Sequence, residues 1–77
     1  MIHRAPRLPR IPVRSSNIAS IGYNPSSYHL QVEFNSGGVF DYFGVPHEMN
    51  DQLMSATSKG RFLRANIIGR FRTTAQP

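Results

Sequence analysis

The sequence of 77 residues contains no cysteine. Disulfide bonds and zinc sites built on thiolates are therefore excluded as supports for the fold. No apolar stretch approaches the ~20 residues of a membrane span or forms the apolar region of a signal peptide. One small domain fits this length, and such a domain is marginally stable without added supports. We therefore expect a cytoplasmic protein with no membrane partner, in which good packing or self-association compensates for the small core.

Charge of one sign is missing from each part of the chain. Residues 1–14 hold four arginines and no acid, residues 15–58 hold four acids and no base, and residues 59–77 hold five bases and no acid. The sum is the formal net charge of +5 at pH 7. Basic ends on a short chain favour a polyanion partner or an arm that binds something, and they do not indicate a reaction.

A triplet repeat of arginine, an apolar residue and proline occupies residues 4–12. In a polyproline II helix, which has three residues per turn, each residue type of the repeat would form its own column. We expect residues 1–16 to form a basic, proline-rich arm. Three interpretations remain open: a solvated and mostly disordered extension, a semi-rigid arm that follows phosphates or docks on an aromatic groove, and a segment whose apolar column folds back onto the domain.

Three strands are predicted between residues 18 and 43. The first covers residues 18–23 and ends at a turn that begins with Asn24 and Pro25. Residues 28–34 alternate between polar and apolar side chains without a break, which is the clearest strand signal in the chain. A glycine-containing hairpin turn follows and leads into the third strand, residues 39–43.

The length of the hairpin loop decides which aromatic residues are buried. A two-residue loop would turn Phe40 and Tyr42 outward. A three-residue loop, with Gly38 in the left-handed region, would pair Phe34 with Phe40 and Val32 with Tyr42. Burial of two aromatic side chains, each worth ~1.5–3 kcal/mol, outweighs the cost of the two carboxylates that would then lie opposite each other, and favours this loop. The outer face of the sheet would carry His29, Gln31, Glu33, Asp41 and Phe43.

Two helices are predicted after the sheet. Pro46 is placed to begin the first, with acids in the first turns, where the helix dipole favours them. Ser58 is the expected N-cap of a second helix over residues 59–71. One side of this second helix is apolar, and the opposite side is shared by Arg61, Arg64 and Arg72. The expected fold class is α+β: a three-stranded antiparallel β-meander followed by two C-terminal helices packed on one face, over residues 17–72, with residues 73–77 as a tail.

Short sequence elements occur in the order typical of one family. They are Gly22-Tyr23-Asn24, the alternation of Leu30, Val32 and Phe34, then Ser36-Gly37, Val45-Pro46, Leu53 with Ala56, Ser58-x-Gly60-x-Phe62-Leu63, and Ile67. In this order and spacing, residues 18–71 resemble the KTSC domain, a small module named from the C-terminus of some lysyl-tRNA synthetases. The resemblance implies the fold, and it adds RNA binding by analogy with the synthetase context.

The central aromatic motif departs from that family. Its usual Tyr-x-Tyr is Phe40-Asp41-Tyr42 here, so the first hydroxyl is missing. Arg64 stands where the resemblance would place an asparagine, and Phe71 replaces a late tyrosine. Replacement of tyrosine by phenylalanine favours a packing role for these positions over shared chemistry.

The sequence offers little for catalysis. His3, His29 and His47 have no spacing that would bring metal ligands together. The segment Ser58-Lys59-Gly60 ends like a phosphate loop, but the upstream glycines of such a loop are absent. We therefore expect a protein that is not an enzyme and has no metal, no cofactor and no small-molecule substrate.

Binding of nucleic acid, most of all RNA, is the function that the basic residues favour. Such a surface gives binding that falls steeply with salt and has little sequence preference. Phe43 would supply base stacking, as would Tyr42 if the two-residue loop were correct. The alternative is a protein-interaction or self-associating module that uses a sheet edge and the proline triplets. The residues expected to contact phosphates are Lys59, Arg61, Arg64 and Arg72, supported by Arg7 and Arg10.

Overall fold

The computed structural model describes residues 7–76 as one antiparallel sheet with two helices packed on one of its faces. The five strands follow one another in space as they do in the chain. They are β1 (Ile11–Pro12), β2 (Ile18–Asn24), β3 (His29–Phe34), β4 (Val39–Phe43) and β5 (Arg72–Ala75). The helices α1 (His47–Ser55) and α2 (Lys59–Asn66) lie between β4 and β5 in the chain. The α+β class and both helices agree with the sequence, whereas the sheet has five strands where three were predicted.

The core lies between the sheet and the helices. Alternation along β3 places Leu30 and Val32 on the same face, where both are fully buried. Tyr42 of β4 joins them with 3% of its surface exposed. Leu53 of α1 and Leu63 of α2 complete the core on the helical side. No helix of the described chain has the length and apolarity needed to cross a membrane.

The β3–β4 hairpin has the predicted faces but a different register. Leu30 lies opposite Tyr42, and Val32 lies opposite Phe40. The pairing of Val32 with Tyr42 was therefore wrong by two residues, although both registers bury the same aromatic face. The predicted cost disappears with the shift, because Glu33 lies opposite an uncharged valine and not opposite the other carboxylate.

The turn explains the shift. The N–H of Phe34 donates to the carbonyl of Gly38 at 2.8 Å, which leaves residues 35–37 as the loop. Gly37, with φ of +104°, adopts the left-handed conformation that was expected at Gly38. Two adjacent glycines offer two positions for that conformation, so the sequence alone could not choose between them.

The chain after α2 was also predicted incorrectly. The helix ends at Asn66, five residues before the expected end, and Gly69 with φ of +81° reverses the chain. Residues from Arg72 onward then pair with β4 as an edge strand. Arg72 is consequently not on the helix with the other arginines, and most of the predicted tail is strand. The β-branched pair Thr73 and Thr74 suits this strand.

The arm lies on the sheet over its described part, as in the interpretation in which it folds back onto the domain and unlike a disordered extension. Ile11 pairs with Ile21 of β2, and a Cβ on Gly22 would lie only 2.6 Å from the carbonyl oxygen of Pro9. Within the apolar column, Leu8 is half-buried close to Gly22, whereas Ile11 remains 62% exposed. The first triplet, residues 4–6, lies outside the described residues.

Replacement of Gly22 by alanine should separate the arm from β2. The added methyl group meets backbone, which cannot rotate away, so we expect a loss of about 1–3 kcal/mol in the free energy of unfolding. Trypsin should then cleave faster after Arg10. Both effects are measurable, by urea denaturation and by timed proteolysis.

Gly60→Ala provides the matched control. Its added Cβ would lie 3.1 Å from the side-chain nitrogen of Asn17, which is exposed and can move. Stability should therefore stay the same or rise slightly, and the arm should stay protected. Equal protection of the arm in the Gly22 variant would contradict the close approach.

Candidate nucleic-acid interface

Helix α2 carries two free arginines on its exposed side. Ser58 caps the helix as predicted, with its Oγ accepting a hydrogen bond from the N–H of Arg61 at 3.3 Å. Leu63 anchors the opposite side in the core. Arg61 and Arg64, three positions apart, lie on the same side and are both exposed. Within the described residues, neither guanidinium makes a hydrogen bond or an ion pair.

The other predicted phosphate ligands are placed differently. Lys59 is half-buried, and its Nζ donates to the carbonyl of Ala56 at 3.2 Å. Arg72 lies on β5 with its guanidinium 5.4 Å from the centre of the Phe43 ring. Arg7 is exposed on the arm. The structure therefore brings only Arg61 and Arg64 together on one accessible surface of α2.

Arg10 is engaged on the opposite face of the sheet. Its Nε donates to Ser20 at 3.1 Å, and its Nη1 donates to the side-chain oxygen of Gln31 at 2.5 Å. The N–H of Leu8 donates to the same oxygen at 3.2 Å. Gln31 is fully buried beneath these residues. The face expected to be solvent-exposed is thus partly covered by the arm, and Arg10 has a structural role.

Asp41 is the acceptor at the centre of this face. One carboxylate oxygen accepts hydrogen bonds from His29 Nε2 at 2.6 Å and from Gln31 at 2.8 Å. The other accepts from the side chain of Gln76 at 2.7 Å. Asp41 is 1% exposed, and the described residues include no cluster of acids and histidines able to hold a metal ion. A buried carboxylate with both oxygens occupied by protein donors indicates a structural function.

Phe43 does not offer a free ring for a base. The His29 ring stacks against it at 4.9 Å with an angle of 21° between the planes, and Arg72 approaches the same ring from β5. Tyr42 points to the other face of the sheet and is buried in the core. The stacking role predicted for Phe43 therefore has no support in the geometry.

Two grooves adjoin the end of α2. The first, called here the polar groove, has a volume of about 510 Å³ and includes Arg64. The second, the aromatic groove, has a volume of about 560 Å³. They share Phe34 and Ser36, so they form one continuous surface, and none of the four acids of the chain lines either of them. The remaining lining residues are Ser16, Asn17 and Asn35 in the polar groove, and Phe40, Tyr42, Ile68, Gly69 and Thr73 in the aromatic groove.

The hairpin turn is fixed against the segment before β2. The N–H of Asn35 donates to the carbonyl of Asn17 at 2.8 Å, and the Asn35 side chain donates to the carbonyl of Ser16 at 3.0 Å. These bonds hold the polar wall of the groove in place. Sequence reasoning missed this wall because its residues come from separate loops. The sequence signal for this wall was the polar hairpin turn, which was interpreted as a turn and not as part of a binding site.

Replacement of Asp41 by asparagine should destabilise the fold. The new amide would turn a donor towards donors from His29 or Gln76, at a cost of about 1–3 kcal/mol in the free energy of unfolding. Urea denaturation measures the loss. Asp51→Asn, an exposed change on α1, serves as the control and should alter stability by no more than ~0.5 kcal/mol. Equal stability of the two variants would show that the buried carboxylate has no structural function.

Comparison with known proteins confirms the resemblance. The family model of the KTSC domain matches residues 14–71. A crystal structure of a KTSC domain protein from Yersinia pestis superposes with a TM-score of 0.88 at 41% sequence identity, over 92% of this chain and 100% of that one.

The sequence matches relatives of two sizes, a small protein and a much longer ligase. A protein of Tsukamurella paurometabola is 41% identical over 64 residues, which cover 83% of this chain and 96% of the relative. A lysine–tRNA ligase of a Nostoc species is 34% identical over 64 residues, but these make up only 11% of the ligase. The fold and the order of the matching elements agree with these findings, and the chain belongs to the KTSC domain family.

Proposed function

We propose that this domain binds RNA through the exposed side of α2 and the polar groove beside it. The observation that carries the proposal is that the side chains of Arg61 and Arg64 are available to a ligand. Both guanidinium groups are exposed and have no partner among the described residues, and Arg64 borders a groove without an acid.

Arginine suits this task for physical reasons. Its planar guanidinium donates two parallel hydrogen bonds to a phosphate and stays charged at any physiological pH. An arginine without an intramolecular partner can bind phosphate without first breaking an ion pair. The gain in free energy comes largely from release of the counterions that surround the nucleic acid.

The groove adds contacts that a charged helix alone would lack. Asn17, Asn35 and the two serines place amide and hydroxyl groups beside Arg64. Such groups can form hydrogen bonds with base edges and with the 2′-hydroxyl, the group that distinguishes RNA from DNA. The named substrate of the lysine–tRNA ligases that share this domain is also an RNA, which supports RNA over DNA.

The proposed surface includes only some of the basic residues that the sequence predicted to contact phosphates. Lys59 adds charge at the start of α2. Arg10 is held in the buried polar network, Arg72 lies against Phe43, and Arg7 lies on the arm, so none of these three belongs to the proposed surface.

Removal of both free arginines should weaken RNA binding. We expect Arg61→Ala with Arg64→Ala to lower the affinity for a short single-stranded RNA roughly tenfold at about 50 mM salt. The slope of log affinity against log salt should fall by about 1.4, because two phosphate contacts are lost. Fluorescence anisotropy with a labelled oligonucleotide, titrated between about 50 and 200 mM salt, measures both.

A second double variant controls for net charge. Arg14→Ala with Arg72→Ala removes the same charge from the end of the arm and from β5, and should change the affinity by no more than about twofold, since neither residue is on α2 or lines either groove. An equal loss in both double variants would reduce the proposal to a net-charge effect. No binding by the unaltered protein at low salt would refute it.

A protein partner is the second candidate, favoured by the outer edge of β5. All four residues of this strand are exposed, and it is longer than β1 at the opposite edge. An extended segment of another chain could therefore add to the sheet there. Association that depends on concentration, survives salt and does not require Arg61 or Arg64 would support this candidate.

A further inference from the structure

The aromatic groove has a wall of rings beside an exposed aliphatic side chain. Phe34 and Phe40 meet edge to face, with ring centres 5.6 Å apart and an angle of 79°. Ile68, on the opposite border, is 44% exposed although it is a large apolar residue. A volume of about 560 Å³ falls within the usual range of small-ligand pockets. The groove is therefore apolar, large enough for a planar ring, and open to solvent.

Tyr42 gives this groove an unused hydrogen-bonding group. Its side chain lines the groove and is only 3% exposed, yet its hydroxyl makes no hydrogen bond with any described residue. Tyr23, on the same face of the sheet, shows the ordinary arrangement, with its hydroxyl donating to the carbonyl of Val45 at 2.5 Å. The hydroxyl reaches the open groove, where water can form a hydrogen bond with it, so it does not carry the full cost of burial. A ligand that accepts a hydrogen bond from the hydroxyl would replace that water.

Packing does not account for the hydroxyl. Phe40 lines the same groove and packs with no polar group on its ring. Burial raises the pKa of Tyr42 above its ordinary value, so the hydroxyl is protonated at neutral pH and can donate.

We propose that the aromatic groove holds one unpaired nucleobase of a bound RNA strand, with a carbonyl oxygen or ring nitrogen of the base accepting a hydrogen bond from the Tyr42 hydroxyl. This inference rests on the proposed RNA binding and names the form of RNA that the site takes. The base would lie against the rings of Phe34 and Phe40, and the backbone of the strand would continue into the polar groove.

Charge complementarity favours this occupant. The two grooves share Phe34 and Ser36, and the polar one ends in the free guanidinium of Arg64. A nucleotide combines an apolar ring face, hydrogen-bond acceptors on its edge and an attached anion, which match these features in turn. A neutral apolar molecule would leave both the arginine and the tyrosine hydroxyl unused.

The proposal implies a preference for single strands. A base in a duplex must leave its stack and its pair before it can enter the groove, at a cost of a few kcal/mol. A flexible strand avoids that cost. The domain should therefore bind an unpaired oligonucleotide more tightly than a blunt duplex of the same length.

Tyr42→Phe tests the hydrogen bond without disturbing the packing. We expect a roughly five- to tenfold loss of affinity for single-stranded oligouridine, the value of one hydrogen bond. Tyr23→Phe is the matched control, because it removes the same group from the same face but from neither groove. It should leave the affinity unchanged. Circular dichroism and thermal unfolding would verify that both variants are folded.

A second measurement reports on the base itself. A strand that carries one 2-aminopurine changes fluorescence when that base leaves its neighbours and meets an aromatic wall. We expect a change with the unaltered protein, and a smaller change when Ile68→Ser removes the apolar border of the groove. The single strand should also outcompete a duplex of equal length.

The outcomes separate this inference from the proposed function. RNA binding that requires Arg61 and Arg64, but is unaffected by Tyr42→Phe and equal for duplex and single strand, would overturn the base site and leave RNA binding intact. An equal loss in Tyr23→Phe would overturn the site as well. A groove occupied by a second copy of the chain would be shown by a dimer that Ile68→Ser dissociates, and would also overturn it. Failure of the unaltered protein to bind any RNA would overturn both proposals.

Discussion

The buried carboxylate of Asp41 is the constraint on which the rest of the structure depends. It accepts hydrogen bonds from two residues of β3 and from Gln76 beyond β5, so it links three parts of the chain. One of the β3 donors, Gln31, in turn accepts from Arg10 of the arm. A charge this deeply buried is tolerated only when its oxygens have partners. Hydrogen bonds among polar side chains thereby help to cover the second face of this small sheet.

Both faces of the sheet are covered by other parts of the chain. The helices pack on one face and the arm with its polar network lies on the other, while the polar and aromatic grooves open at the end of α2 near the hairpin turn. The basic residues are divided in the same way. Arg10 stabilises the fold, whereas Arg61 and Arg64 face solvent with no described partner. A count of positive charges along the sequence could not separate these two roles.

The sequence was sufficient where local periodicity and turn chemistry decide the structure. Alternation along β3, the cap at Ser58 and the family elements predicted the faces, the second helix and the fold class. It was insufficient where distant contacts decide. The register differed because Gly37 and Gly38 both permit a three-residue loop with the same buried face. The placement of Arg72 depends on a reversal at Gly69, and that of Arg10 on Gln31, 21 positions away.

Only the charged half of the candidate site was predictable, because the other half also depends on contacts between distant segments. Arg61 and Arg64 share a helical face by spacing alone, whereas the two grooves join residues from four separate segments. Tyr42 and Asp41 show what spacing leaves undetermined. These neighbours on β4 point to opposite faces, and one has both oxygens occupied while the other has a hydroxyl without a described partner. Alternate residues of one strand therefore serve the polar network on one face of the sheet, and the core and the aromatic groove on the other.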